Sequence, residues 1–396
     1  MMKLSVPFSL ALAYLRERPL ATALNILLLA LGVGTIIALA LTLAQAEKRM
    51  DRDAAGIDLV IGAKGSPLQL VLSTVFQTDI PTGNIDVAEA ARVISAPMVK
   101  RAIPLALGDS YKAFRIVGTD AAYLDLYGAS LQTGRLWNAP LEAVAGAEAA
   151  RITGLVPGTA FAGSHGLSES QGAGGHADHP YAVVGVLKPT GSVVDRLILT
   201  SVDSVREVHG HAGQALNEVT AYLIQYASPL AAASFPRMVN ANSGLQAASP
   251  AMEIARLFNL LGVGIAALKA FAFIMMLCAA LGIFVGLMHA LDERRADLAL
   301  LRLLGASPST VFLTVIVQSA ALGLGGVILG VFIGHAGAEW MGVALEKNQR
   351  IALTGFILIR EEFFVVAGAM GAALLAGLFP AWRAYRSAVP ELLNRA

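Results

Sequence analysis

Apolar and polar positions divide this chain into four long hydrophobic runs and one long mixed stretch. Leu20 to Ala44 is an uncharged run of about 25 residues, enough to cross a bilayer with some tilt. Ile254 to His289, about 35 residues, is longer than a crossing requires. Lys269 lies part-way along it. An outer stalk, with Lys269 reaching the headgroups and Phe271 to Met288 in hydrocarbon, accounts for the excess. The functional alternative for Lys269 is a buried charge on a transport path. Thr310 to Ala338 and Phe363 to Phe379 are the third and fourth runs. Before the first, Phe8, Leu10, Leu12 and Leu15 alternate with Lys3, Arg16, Glu17 and Arg18, the pattern of a surface-lying amphipathic helix.

Between the first two runs the composition becomes that of a water-soluble domain of about 200 residues, large enough for its own core. Phe114–Gly118, Tyr181–Leu187 and Val219–Ile224 have strand character. Weakly helical pieces lie near Val87 to Arg92 and Ser201 to His209, an α+β pattern. Ala162 to Ala177 is rich in Gly and Ser, as in a surface loop. Lys64 to Asn84 is semi-apolar, and either lines a way in for substrate or packs in the core. The expected organisation is a helical membrane bundle of four spans plus one α+β periplasmic domain inserted between spans 1 and 2. Its segments are a cytoplasmic amphipathic helix (1–19), TM1 (20–45), the outer domain (46–252) and TM2 with its stalk (253–290). A cytoplasmic helix (291–308), TM3 (309–338), an outer loop (339–362), TM4 (363–382) and a cytoplasmic tail (383–396) complete it. Ala44-Gln45-Ala46 resembles a signal-peptidase site, but the apolar core is about twice the usual length, so an uncleaved span is expected.

Hydrophobic residues make up 56% and charged residues 14%, the balance of a membrane protein; a net charge of +1 gives no reason to expect nucleic acid. The single cysteine, Cys278, excludes an intrachain disulfide. Basic residues fall at Arg16 and Arg18, at Arg294, Arg295 and Arg302, and at Arg383, Arg386 and Arg395. With four spans these share one side, which should be the cytoplasm, with both termini inside. Gly326, Gly330 and Gly334 recur every four residues, and Gly368, Gly371, Ala372 and Ala376 form a second smooth face; both suit close helix packing.

The most informative stretch is Asp292 to Pro308, D-E-R-R-A-D-L-A-L-L-R-L-L-G-A-S-P. Leu298, Leu301, Leu303 and Leu304 give a short charged helix an apolar side. Gly305 suits its left-handed end, and Ser307-Pro308 suits the start of the next helix. Between two spans such a helix suits the grip of a soluble partner; the plainer alternative is a charged loop that only fixes topology.

This segment resembles the coupling segment of FtsX-like, or MacB-type, permease subunits of ABC transporters, the type VII superfamily, here without a fused ATPase domain. Glu293-Arg294-Arg295-Ala296-Asp297-Leu298 and Leu301-Arg302 to Gly305-Ala306 are similar to its E-R-x-x-E-I-x-x-L-R-x-x-G-A pattern, with Asp297 where Glu is commoner. Phe379-Pro380-Ala381 through Pro390-Glu391-Leu392 is similar to the closing signature, and Val117-Gly118, Tyr123 and Gly134-Arg135 more loosely to the outer domain. The resemblance implies ATPase-coupling roles for Glu293, Arg294, Arg295, Asp297, Arg302 and Gly305. The small-residue spacing gives packing roles to Gly326, Gly330, Gly334, Gly368 and Ala372, and no catalytic residue is expected. The implied partners are a separate ABC ATPase that brings ATP and magnesium, a second permease copy, and a periplasmic adaptor or substrate-binding protein. The setting implied is the bacterial inner membrane. No G-x-x-x-x-G-K-[ST] loop occurs in this chain; Gly62-Ala63-Lys64-Gly65-Ser66 has the residue types at the wrong spacing.

Five of the seven histidines fall in the outer stretch. His165, His176, Asp178 and His179 are candidate ligands for zinc, with His209 and His211 a further pair; the alternative is a solvated hydrophilic loop. Three function classes follow. The leading one is a permease that moves a lipid, lipoprotein, amphiphile or metal-related substrate; the second is a signalling or scaffold subunit that activates a periplasmic partner. A membrane enzyme ranks last, since no Ser/His/Asp or H-E-x-x-H arrangement is present.

Overall fold

The structure, a computed structural model, describes residues 5–165, 179–209, 217–349 and 353–386. It divides into a helical unit, residues 1–47 and 262–396, and a sheet-rich unit, residues 48–261. Four helices are long and apolar enough to cross a membrane: Pro19–Asp53, Pro250–Glu293, Pro308–Ala344 and Arg360–Arg386.

In chain order the helices are α1 (Ser5–Glu17), α2 (Pro19–Asp53), α3 (Pro67–Thr74), α4 (Val87–Ile94), α5 (Ala121–Leu126) and α6 (Ala147–Thr153). Then come α7 (Val202–His209), α8 (Ala231–Asn242), α9 (Pro250–Glu293), α10 (Arg295–Leu303), α11 (Pro308–Gln349) and α12 (Arg360–Arg386). The residues at the breaks explain them. Gly305 adopts a φ of 95°, which a side chain would oppose, and so ends α10. Ser307 Oγ accepts the Thr310 N–H at 3.3 Å, and Pro308 takes the first position of α11. The third long helix does not end near Ala338 but continues to Gln349, because Glu339 to Gln349 is rich in good helix formers and holds no Pro. The non-helical part of the expected outer loop is correspondingly short. Pro380 also lies inside α12 rather than ending it.

The strands are β1 (Leu59–Ala63), β2 (Ile85–Asp86), β3 (Val99–Tyr111), β4 (Phe114–Thr119), β5 (Leu131–Gly134), β6 (Glu142–Ala145) and β7 (Ala160–Phe161). They continue with β8 (Ser164–His165), β9 (Tyr181–Leu187), β10 (Leu197–Ser201), β11 (Glu218–Val219), β12 (Ala221–Tyr226) and β13 (Leu245–Ala248). The main sheet runs β13-β1-β12-β3-β4-β10-β6-β9-β5, with β7 added to β9 and β8 to β3. It is mixed: β4–β10 and β6–β9 pair in parallel, and the other pairings are antiparallel.

Both faces of its centre are buried, as strand alternation requires. Along β4, Phe114 and Ile116 enter one core cluster while Val117 enters another; Ile198 and Leu199 of β10 divide the same way. The Lys64–Asn84 stretch packs inward: Leu70 and Val71 of α3, with Val75 and Phe76 beyond it, join the core. Arg115, itself buried, ties that stretch down by donating to the carbonyls of Ser73 at 3.0 Å and Asp79 at 2.7 Å, and to Gln77 Oε1 at 3.3 Å. Burial lowers the Arg115 pKa to about 10.

Candidate functional site

The charged segment between α9 and α11 is held from two sides. Arg294, at the break between α9 and α10, pairs with Glu17 of α1, and its guanidinium lies 3.8 Å from the Tyr14 ring centroid. Glu293 pairs with Arg18. Asp292 bridges Arg295 at 2.6 Å and Arg383 of α12 at 3.3 Å. The segment is thus braced to both the N-terminal helix and the end of the fourth span. Arg294 is largely covered, its side chain 12% exposed, so its contacts lie within the unit.

The leucines of α10 do not form one stripe. Leu298 and Leu301 turn toward an apolar cleft that Leu10, Tyr14, Leu287 and Val311 also line. Ala299 is fully buried. Leu300, Leu303 and Leu304 are 56%, 61% and 85% exposed, and Asp297 is exposed beside them. The i, i+3, i+4 relation joins these three leucines into a second, outward-facing apolar patch. Arg302 is half-buried. A Cβ added at Gly305 would meet nothing within 4 Å, so the turn beside the patch is open.

The glycine face of α11 packs on α2. A Cβ at Gly326 would lie 2.6 Å from Leu29, one at Gly330 2.7 Å from Val33, and one at Gly334 2.8 Å from Ile37. Gly34 of α2 returns the contact, lying against the Gly330 carbonyl and Ile333. The second expected face behaves otherwise. Space beside Gly368 and Gly371 is open, and α12 instead buries Ala369, Ala373, Gly377, Pro380, Ala381 and Ala384. Ala372, half-buried, lies next to this face, not at its centre. The packing stripe is offset by one residue from the one expected, because Ala373 and Gly377 meet the Gly323 and Ser319 positions of α11.

A polar cluster that sequence reasoning missed closes the connection between α11 and α12. His335 Nε2 is 3.1 Å from Glu362 Oε2, and its Nδ1 bonds the Gly355 carbonyl. Glu339 accepts the Gly355 N–H at 2.7 Å and the Thr354 hydroxyl at 3.1 Å. Gln45 of α2 donates to the Thr354 carbonyl at 2.8 Å and accepts the Thr354 N–H at 2.9 Å. Glu362 is buried, 6% exposed. His335 and Glu362 are 27 residues apart on different helices, and no local spacing marks them as neighbours.

Of the expected metal ligands, His176 and Asp178 lie outside the described residues, as does His211. His179 is exposed just before β9. His165 closes β8, opposite Asp109 of β3 in the strand register. Among the described residues, no group of three or more His, Cys, Asp or Glu side chains is placed to hold a metal ion.

Four helices long and apolar enough to cross a membrane, with a separate sheet-rich unit, define a membrane protein that carries an extramembrane domain. The MacB-like periplasmic core domain family matches residues 22–235, and the FtsX-like permease C-terminal family matches residues 269–389. The chain therefore belongs to the FtsX-like, MacB-type permeases, the membrane subunits of ABC transporters. Among solved structures it is similar to the periplasmic region of MacB from Actinobacillus actinomycetemcomitans. That match has 12% identity and a TM-score of 0.35, and covers 53% of this chain and 96% of the other. It is also similar to the extracellular domain of the noncanonic ABC-type transporter YknZ from Gram-positive bacteria. There the identity is 15% and the TM-score 0.31, over 48% of this chain and 98% of the other. No curated protein matches the chain.

Proposed function

We propose that the chain couples ATP hydrolysis by a separate ATPase to movement of its sheet-rich domain on the outer side of the membrane, and that α10 is the element the ATPase grips. The observation that carries this reading is the two-sided character of α10. One side is anchored by Ala299, Leu298 and Leu301, with Arg294 and Asp292 at its root. The other presents Leu300, Leu303 and Leu304 to solvent. A helix built only to fix topology has no use for three exposed leucines on a charged segment.

In this reading the arginines at 16, 18, 294, 295, 302, 383 and 386 mark the cytoplasmic side, with both termini there. A second copy of the chain completes the membrane unit, and the ATPase brings nucleotide and magnesium. The substrate class is the hydrophobic or periplasmic one that the resemblance implies, moved by export or extraction. Leu300→Asp with Leu303→Asp in the full-length protein should reduce ATPase co-purification in detergent at least tenfold, with Leu230→Asp, at an exposed position of the sheet-rich unit, as the control. Full retention of the ATPase by the double variant, or protease protection that places Arg302 on the outer side, would overturn the reading.

A further inference from the structure

The non-helical strap that leads into α12 has no part in that coupling. Residues 353–359 read L-T-G-F-I-L-I, and no charged residue falls between Arg350 and Arg360. Two close approaches to α11 set its course. A Cβ added at Gly342 would lie 2.1 Å from the Leu353 carbonyl oxygen, and one at Gly355 would lie 2.2 Å from the His335 carbonyl oxygen. The strap thus turns back along α11, from the level of Gly342 to that of His335. Two turns of helix separate those levels, about 10 Å.

The depth of that level follows from helix geometry. Helices α2 and α11 run side by side in the same direction, since Gly326, Gly330 and Gly334 meet Leu29, Val33 and Ile37 in order. From Pro19 to Gln45 on α2, and from Pro308 to His335 on α11, the rise is about 40 Å. A bilayer with its headgroups is about 40–45 Å thick around a hydrocarbon core of about 30 Å. Helices that begin in one headgroup layer therefore bring the strap into the opposite interface. Arg360 and Glu361, both exposed at the start of α12, are charges suited to that layer.

Irregular backbone at this depth needs its polar groups met from within. Side chains meet them here. Gln45 takes both groups of the Thr354 peptide positions, and Glu339 accepts the Gly355 N–H. His335 Nδ1 donates to the Gly355 carbonyl, and Glu362 Oε1 accepts the Ile359 N–H at 3.0 Å. The Thr354 hydroxyl accepts the Phe356 N–H at 3.2 Å. These polar groups all act from the helices or from the strap itself. What the strap turns outward is apolar: Phe356 is 89% exposed, Leu358 82% and Ile357 43%. Trp340, next to Glu339 on α11 and 74% exposed, is an aromatic residue of the kind that favours the membrane interface. Three consecutive exposed apolar residues do not suit a turn in water.

We propose that this strap is an interfacial anchor. Phe356 and Leu358 insert between the lipids of the leaflet farther from α10, while Gln45, His335, Glu339 and Glu362 hold the backbone behind them. Only side chains enter hydrocarbon, so no irregular backbone crosses it. The proposal is independent of the coupling reading, because lipid contact at the strap requires no ATPase.

The test uses the full-length protein with Cys278→Ser and a single cysteine in place of Phe356, Leu358 or, as the water-facing reference, Leu230 of the sheet-rich unit. Each cysteine is labelled with a small fluorophore, and the protein is placed in nanodiscs of phosphatidylcholine and phosphatidylglycerol. Lipid carrying a nitroxide just below its headgroup should quench the labels at 356 and 358 about threefold more than the label at 230, and aqueous iodide should give the reverse order. Gln45→Leu, which leaves the Thr354 peptide groups unmet, should about halve the lipid quenching at 356. Iodide quenching at 356 and 358 equal to that at 230 would overturn the proposal by placing the strap in water. Quenching by neither agent would overturn it as well, since protein, such as a second copy of the chain, would then cover the patch. Lipid quenching unchanged by Gln45→Leu would refute the holding role of the polar cluster. Should one labelled variant fail to fold, judged by gel filtration, the other decides alone.

Discussion

The two units of this protein are held together by opposite means. In the helical unit the closest contacts are made by residues with almost no side chain. Gly326, Gly330 and Gly334 let α11 meet α2 so closely that Gly34 rests on the Gly330 carbonyl. In the sheet-rich unit long polar side chains secure the loops. Arg115 holds the turn after α3, and Glu142 holds the segment after β5 by pairing with Arg135 and accepting the Asn138 N–H at 2.8 Å. Solvent explains the contrast. Lipid offers apolar helices no hydrophobic reward for associating, so they gain by close van der Waals approach. In water the core forms by burial of apolar area, and polar groups then fix which loop lies where.

This contrast breaks most visibly at Gly330. Gly330→Ile drives a branched side chain into Val33 and the Ala30 carbonyl and should cost about 3 kcal/mol, seen as a lowered thermal midpoint in detergent. Gly368→Ile, on the open face of α12, should leave the midpoint within a degree or two. Equal effects at both positions would refute the assignment of the packing face. In the sheet-rich unit Arg115→Met removes the donors that satisfy the Ser73 and Asp79 carbonyls. It should destabilise that unit by about 2–3 kcal/mol and speed proteolysis of the 73–79 segment.

The mildest effect is expected at Glu142. Its pKa is lowered to about 2, chiefly by the Arg135 hydrogen bond and then by the Asn138 N–H. A depressed carboxylate stabilises the fold above its unfolded pKa, about 4.3, and loses that contribution as pH falls toward 2. The stability difference between the unaltered protein and Glu142→Gln should therefore be constant above about pH 5 and close between about pH 4 and 2. Acid unfolding followed by tryptophan fluorescence measures it, and a gap that widens on acidification would contradict the assignment.

Much of this architecture is legible in the chain because apolar runs and turn chemistry act locally. The four spans, the Gly305 turn, the Ser307-Pro308 start and the strand character of Phe114–Gly118 and Tyr181–Leu187 depend on residues within a few positions of one another. Partnerships across the fold are not local and were harder to see. Small-residue spacing shows that α12 has a smooth face, but not that the neighbouring stripe through Ala373 is the one that meets α11. Counting Leu298, Leu301, Leu303 and Leu304 as one apolar side overlooks that five residues of helix set Leu298 and Leu303 about 140° apart, so the first lines the cleft and the second is exposed. The pairing of Asp109 with His209, far apart in sequence, likewise depends on the packing of α7.

The bond pair between Gln45 and Thr354 has a mechanical meaning. One amide side chain matches both the donor and the acceptor of a single peptide unit, as a strand residue would, so α2 carries a one-residue bridge to the strap that leads into α12. Both bonds depend on the same planar amide, so the placing of that one group sets both. Displacement of this part of α2 therefore loads the strap through a single side chain, and Gln45 is the point at which the helix and the strap are fastened.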